Sequence, residues 1–287
     1  MDRISAGGTL SPDEIRELAR TPDVLPLGML ADTLRRRLRG GSATFVRVAI
    51  CPFDQSLTDA VLPAAREICL TGTPGTLEIA KTAIRTAREL AGERTVAAFS
   101  WSDVERLSEG RTPHRVLEEF RIAGLDALAD LPIDGIDDLP AAIGALKAAG
   151  FDRLRVGVAK IPAADRTNLL LRASELQDQF ACIQSLNPLP SVLSTFRPTT
   201  GYEDVKMVAV ARLAAPGIPS IQIDWRRYGP KLAQVALTFG ADDLYGVSAS
   251  DEAPEGRRRA PLEEIRRNIE AAGFRPVERD GRFRPIS

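Results

Sequence analysis

The chain predicts an α/β protein whose parallel sheet closes into a (β/α)8 barrel, with an open doubly wound sheet as the alternative. Two observations support this. Eight short runs rich in β-branched and apolar residues alternate with stretches of helical periodicity along 287 residues. Gly124, Gly150, Gly217 and Gly240 each stand between the end of a helical run and the start of a strand run, where a helix C-cap is wanted. No repeat, low-complexity tract or linker divides the chain, so one domain is expected. Residues 1–42 form an N-terminal helical extension, 43–250 the barrel, and 260–287 a C-terminal helix and hairpin.

The elements follow in order. Ser11 and Glu14 have the spacing of a capping box and start a helix over 11–19; a second is predicted over 29–38. Strands are predicted over 44–50, 67–70, 95–100, 127–129, 154–159, 181–185, 218–223 and 244–248, where apolar residues bunch in short runs. Helical periods over 77–90, 113–123, 139–149, 166–179, 203–213 and 231–239 fill most of the gaps between them. Thr200 and Glu203 form a second capping box, so TTGYED is a helix start. A last helix over 261–272 leads to a hairpin over 275–284 that turns at Asp280 and Gly281.

Composition narrows the function classes. Lys and Arg number 38 against 39 Asp and Glu, so no global field draws the chain to nucleic acid or an anionic membrane. The cluster Arg35, Arg36, Arg37 and Arg39 reads as a solvated helix face. No apolar run approaches the ~18 residues of a membrane span, and the polar start MDRISAGGTLSPDEI does not read as a signal peptide; a cytoplasmic location is expected. Cys51, Cys69 and Cys182 are far apart and odd in number, which matches reduced thiols.

In a barrel, function collects where the strands end, because the loops there converge on one mouth. Asp224, Trp225, Arg226 and Tyr228 follow the seventh strand. Together they offer a charge, two aromatic surfaces and a guanidinium, which suits a nucleoside-like or aromatic acid ligand. The competing reading is an amphipathic ring over the rim with Asp224 paired to an arginine. Asp103, after the third strand, is a ligand acceptor or the N-cap of the short helix that follows. The second strand ends in Leu70, Thr71, Gly72, Thr73, Pro74 and Gly75, a tight loop that lets backbone approach a ligand, with Thr71 and Gly72 as its candidate contacts. Asp242 and Asp243 lie at the opposite end and read as structural.

Cys69 and Cys182 read as small buried hydrophobes, while Cys51 lies near a strand exit with no neighbouring histidine. The single histidine, His114, starts a helix. Zinc hydrolysis and Cys/His nucleophilic catalysis therefore lack their residues, and no metal site is predicted, though a carboxylate-bound hard cation stays open.

The segment TTGYEDVKMVAVARLAAPGIPSIQIDWRRYGPKLAQVALTFGADDLYG, residues 199–246, resembles the C-terminal part of the radical S-adenosylmethionine enzymes of the futalosine route to menaquinone, aminofutalosine synthase and its cyclase relative. Weaker likeness extends over 29–283, including 31–40, 67–72, 99–103, 123–126 and AAGFRPVERD at 271–280. The resemblance implies a radical-SAM barrel with helical N-terminal and hairpin C-terminal additions. It also implies a [4Fe-4S] cluster on three closely spaced cysteines after the first strand. That place here reads VAICPFDQ, residues 48–55, with Cys51 as its one cysteine.

Other family features depart as well. The glycine pair that meets the methionine amine stands here as Thr71 and Gly72, the glycine-rich segment with its acid as LPIDG at 131–135, and two family histidines fall at Ala159 and Asn187. The resemblance and its departures imply a cluster-free relative that binds S-adenosylmethionine or a nucleoside-like ligand without cleaving it, beside a menaquinone-pathway enzyme. A second expectation is replaced acid/base chemistry by Asp54, Asp103, Asn187 and Asp224 on a futalosine-like or chorismate-derived molecule. A third is a radical enzyme that borrows cluster ligands from a partner subunit.

Overall fold

The computed structural model describes residues 8–57, 63–160, 166–192, 199–256 and 258–286. Two helices, α1 (Pro12–Arg20) and α2 (Val24–Arg39), precede β1 (Ser42–Pro52) and β2 (Glu67–Thr71). The alternation then runs α3 (Leu77–Ala91), β3 (Thr95–Ser100), α4 (Trp101–Leu107), α5 (Pro113–Ala123), β4 (Ala127–Asp130), α6 (Leu139–Ala148) and β5 (Leu154–Val158). It continues as α7 (Arg166–Phe180), β6 (Ile183–Pro190), α8 (Gly201–Ala214), β7 (Ser220–Asp224), α9 (Trp225–Leu237) and β8 (Asp243–Ser248), then α10 (Pro261–Ala271) and β9 (Arg275–Glu278).

The strands pair in parallel in the order β4-β3-β2-β1-β8-β7-β6-β5. This order and the α/β alternation are those of the (β/α)8 barrel rather than of an open doubly wound sheet. β4 and β5 complete the ring by contact, and just past β4 the chain pins the seam: Gly157 N–H donates to Leu131 O at 3.0 Å and Ile133 N–H to Gly157 O at 2.9 Å. Among the described residues no helix is long and apolar enough to cross a membrane.

Local signals explain most of the boundaries. Ser11 with Glu14 and Thr200 with Glu203 both form complete capping boxes, which start α1 and α8. Gly124, Gly150 and Gly240 adopt positive φ (108°, 89° and 105°) where helices turn back to strands. β6 starts later than expected because Ala181 takes φ 53°, outside any strand region, and it runs on to Pro190, which has no N–H to contribute. α9 starts earlier than expected, directly at the strand exit. The Asp224 side chain accepts from Arg227 N–H there, and the helix breaks at Gly229 (φ 73°, ψ 170°) before Pro230.

Strand alternation divides the barrel into two faces. Phe45, Ala49, Cys51, Ile68 and Leu70 point outward into the main core beneath the helices, whereas Val46, Val48, Cys69 and Ala97 form a small apolar cluster within the barrel. Each fully buried aliphatic side chain contributes roughly 1.5–3 kcal/mol, so the outer layer supplies most of the stability. The rest of the lumen is polar. Toward the closed end Asp243 accepts hydrogen bonds from Thr44, Gln222 and Arg279, and Glu67 from Arg155 and Tyr245.

The C-terminal extension stoppers that closed end. β9 pairs in parallel with the first residues of β1, Ser42 opposite Arg275, on the side that β2 takes further along. The chain then turns at Asp280, whose Oδ1 accepts from Arg282 and Arg284 N–H, and its return leg makes one antiparallel bridge, Arg279 to Pro285. Gly281 lies so close to Thr95 that a Cβ there would sit 2.4 Å from the threonine Cβ.

One expectation is overturned at one residue. The arginine run on α2 is solvated at Arg36, Arg37 and Arg39 but not at Arg35, which is fully buried and donates to the carbonyls of Gly40, Ser42 and Ala241, with its guanidinium 3.7 Å over the Phe274 ring. Burial lowers its pKa to about 10, so it stays cationic near neutrality. Arg39 reaches Asp242 at 3.2 Å. These arginines fasten the N-terminal extension to the closed end of the barrel.

Candidate functional site at the barrel mouth

Two cavities open at the strand ends. The first, about 380 Å³, is lined by Thr71, Asp130, Arg155, Asn187, Asp224 and Arg226 among others. The second, about 400 Å³, includes Trp225, Gly229 and Ser248 and shares Ile50 and Arg226 with the first. Either is large enough for a small organic ligand.

The residues singled out from sequence divide between this mouth and structural duties. Thr71, Asn187, Asp224 and Arg226 meet in the first cavity, and Trp225, mostly buried, lines the second. Gly72 holds φ 106° at the exit of β2, where a Cβ would come within 2.8 Å of the Phe53 ring; close packing and a left-handed backbone both require glycine there. Tyr228 donates its hydroxyl to Pro190 O at 2.6 Å. Burial, with help from Asp204 and Asp224, pushes that phenol well above its ordinary pKa, so it remains a neutral strut.

Asp103 completes the capping box of α4. Its Oδ2 accepts from Ser100 N–H at 2.9 Å and from the Ser100 hydroxyl at 2.7 Å, and its Oδ1 meets Arg106 at 2.9 Å. Asp54 is exposed in the turn after β1 and lines neither cavity. Of the four acid/base candidates, the structure therefore brings together Asn187 and Asp224. Asp224 is partly committed as the N-cap of α9, with Arg227 Nη1 3.6 Å from its other oxygen.

The lining also includes polar residues that the sequence does not single out, among them Asp130, Arg155, Gln222, Arg227 and Tyr245. Asp130 ends β4 and could have been found by the strand-end rule. Burial pushes its carboxyl above the usual range, opposed by Arg227 and reinforced by Asp134. Arg155 lies within the strand LRVGV, and an arginine alternating with apolar residues is the pattern of a surface strand until the barrel turns that face inward.

The thiols do not converge. Register pairs Ile50 with Cys69 and Cys51 with Leu70, so Cys51 faces the outer core while Cys69 faces the lumen. Cys182 precedes β6 at the closed end. All three are buried, and burial raises each thiol pKa, that of Cys69 to about 11. Among the described residues no group of three or more His, Cys, Asp or Glu is placed to hold a metal ion. A [4Fe-4S] cluster needs thiolates converging on one point, and this donor set does not fit it.

The same type of barrel occurs in solved structures. Methylornithine synthase PylB superposes with a TM-score of 0.68 at 15% identity, covering 96% of both chains. HydG, a maturase of the [FeFe]-hydrogenase, gives 0.69 at 13% identity over 96% of this chain and 74% of its own. Residues 185–286 match the CofH/MqnC C-terminal region. The 5-amino-6-(D-ribitylamino)uracil–L-tyrosine 4-hydroxyphenyl transferase of Archaeoglobus fulgidus is 28% identical over 88% of this chain and 91% of its own length. Two Streptomyces coelicolor proteins are also similar. Cyclic dehypoxanthine futalosine synthase is 23% identical over 97% of this chain and 86% of its own, and aminodeoxyfutalosine synthase 30% identical over 41% and 36%. The chain is thus related in sequence to the futalosine-pathway and CofH-like radical SAM enzymes.

Proposed function

We propose that the chain is a cluster-free ligand-binding barrel of futalosine-type menaquinone biosynthesis. It holds a nucleoside-like or aromatic acid molecule in its mouth and works beside an enzyme of that pathway. The observation that supports this most is the divergence of Cys51, Cys69 and Cys182 in a barrel that keeps a polar mouth cavity of about 380 Å³. S-adenosylmethionine, if bound, would be held as an intact nucleoside, because no cluster is there to reduce it. Anaerobic reconstitution with iron and sulfide tests the reading: no visible absorbance should develop, and a stoichiometric [4Fe-4S] spectrum would overturn it.

A second reading, replaced acid/base chemistry, is favoured by one feature. Asp130, whose carboxyl burial pushes above the usual range, and Asp224, which accepts a backbone N–H, line the same cavity in unlike surroundings. Incubation with chorismate and with futalosine, followed by mass spectrometry, checks it. Consumption that is lost in Asp130→Asn and Asp224→Asn would support turnover, and no consumption of either compound removes it.

A further inference from the structure

We propose that the first mouth cavity is a carboxylate subsite: the Arg155 guanidinium at its floor pairs with the carboxylate of a small organic acid, whose apolar body lies against Ile50, Ala129 and Leu189. This rests on the ligand-binding reading above and narrows the ligand to an acid held by its carboxylate.

The Arg155 side chain is 7% exposed. Its Nη1 donates to Glu67 Oε1 at 2.7 Å, and the Tyr245 hydroxyl donates to that same oxygen at 2.8 Å. The guanidinium also stands 5.2 Å from the centre of the Tyr245 ring. One side of the cation is thereby fixed in place. Nη2, equally buried, has no hydrogen-bond partner among the described residues. Leaving a buried donor of a charged group unmatched is costly, so the position calls for an acceptor.

Arg155 also marks where that acceptor would sit. It lines the mouth cavity and also the cleft at the closed end formed by Thr95, Asp126 and Gly281, so it forms the floor between them. The polar groups above it include two open donors. The Asn187 carbonyl oxygen is taken by Leu189 N–H, and its NH2 group has no partner among the described residues. Arg226, at the rim of the cavity, has no ion pair among the described residues.

Of the two acids that line the cavity, one is engaged and the other is raised by burial. Asp224 caps α9 beside Arg227, and burial pushes the Asp130 carboxyl above the usual range. An unmatched guanidinium N–H at the floor and Arg226 at the rim favour an anion between them. One open guanidinium edge matches a planar carboxylate, whereas a dianionic phosphate at the same depth would need several donors. Water is the competing occupant of Nη2, and it would confer no preference for charge.

Benzoate and benzamide share a ring and differ in charge, so calorimetric titration of the full chain with each separates these cases. Benzoate should bind about tenfold or more tightly than benzamide. Arg155→Lys keeps a cation facing Glu67 but lacks the second nitrogen, so it should abolish the preference with an unchanged circular dichroism spectrum. Equal affinities, absence of benzoate binding, or a folded Arg155→Lys variant that keeps the preference would each overturn the proposal. Should that variant fail to fold, the comparison on the unaltered chain decides. A [4Fe-4S] spectrum on reconstitution would remove the cluster-free reading and leave this result standing, so the two can fail separately.

Discussion

Replacing Arg279 with methionine should destabilise the barrel by about 3–5 kcal/mol, the loss typical of breaking a buried ion pair by removing one partner. Arg279 and Asp243 are 1% and 0% exposed, and the guanidinium meets both carboxylate oxygens, at 2.6 and 2.8 Å. Without it Asp243 keeps only Thr44 and Gln222, each donating at 2.6 Å, and remains a buried anion. At roughly 2 °C per kcal/mol for a chain of this size, the melting temperature should fall by about 6–10 °C.

The pH dependence of that loss follows from Asp243. Burial alone would raise its pKa, but Arg279 and the hydrogen bonds more than offset this and hold the carboxyl below the usual range. The pair's stabilisation is therefore fully present above the unfolded carboxylate pKa of about 4, and it is lost as pH falls through the lower folded value. Urea melts at pH 7 and pH 4 measure both effects, and the difference between unaltered chain and variant should be larger at pH 7. Arg279→Met with Asp243→Asn should recover much of the deficit. A loss under 1 kcal/mol for the single variant, or strict additivity in the double, would refute the reasoning.

Two further outcomes are expected. Native protein should react slowly with a thiol reagent at pH 8, because burial raises the pKa of all three cysteines, and full reactivity should appear in denaturant; fast labelling of Cys51 would contradict its packing beneath the helices. Asp103→Ala should cost about 1 kcal/mol in urea melts through loss of the α4 capping box and leave benzoate titration unchanged; lost binding at unchanged stability would place Asp103 at the ligand instead.

What could be read from sequence was what is encoded locally. The capping boxes at Ser11 and Thr200 and the glycines at 124, 150 and 240 act within a few residues, so their consequences for helix starts and strand starts are visible before any folding. Asp224 was legible for a related reason, since a strand exit in a barrel has a known address. Arg35 was not. Four arginines within five positions look solvated until a distant phenylalanine and two backbone turns surround one of them. Arg155 escaped notice likewise, because which face of a strand becomes lumen depends on closure of the ring. Trp225 and Tyr228 were located at the right turn, yet their orientation depends on the short helix that Asp224 caps and Gly229 breaks.

The pairing of β9 with β1 bears on how the chain is made. Ser42 leaves the ribosome 233 residues before its partner Arg275. During that whole interval the first residues of β1 present bare amide and carbonyl groups along an edge with no partner, the kind of surface that templates association between nascent chains. Closing so long a loop is also slow. Synthesis rate and chaperone supply, more than the strength of the finished core, should therefore govern how much soluble protein a cell recovers.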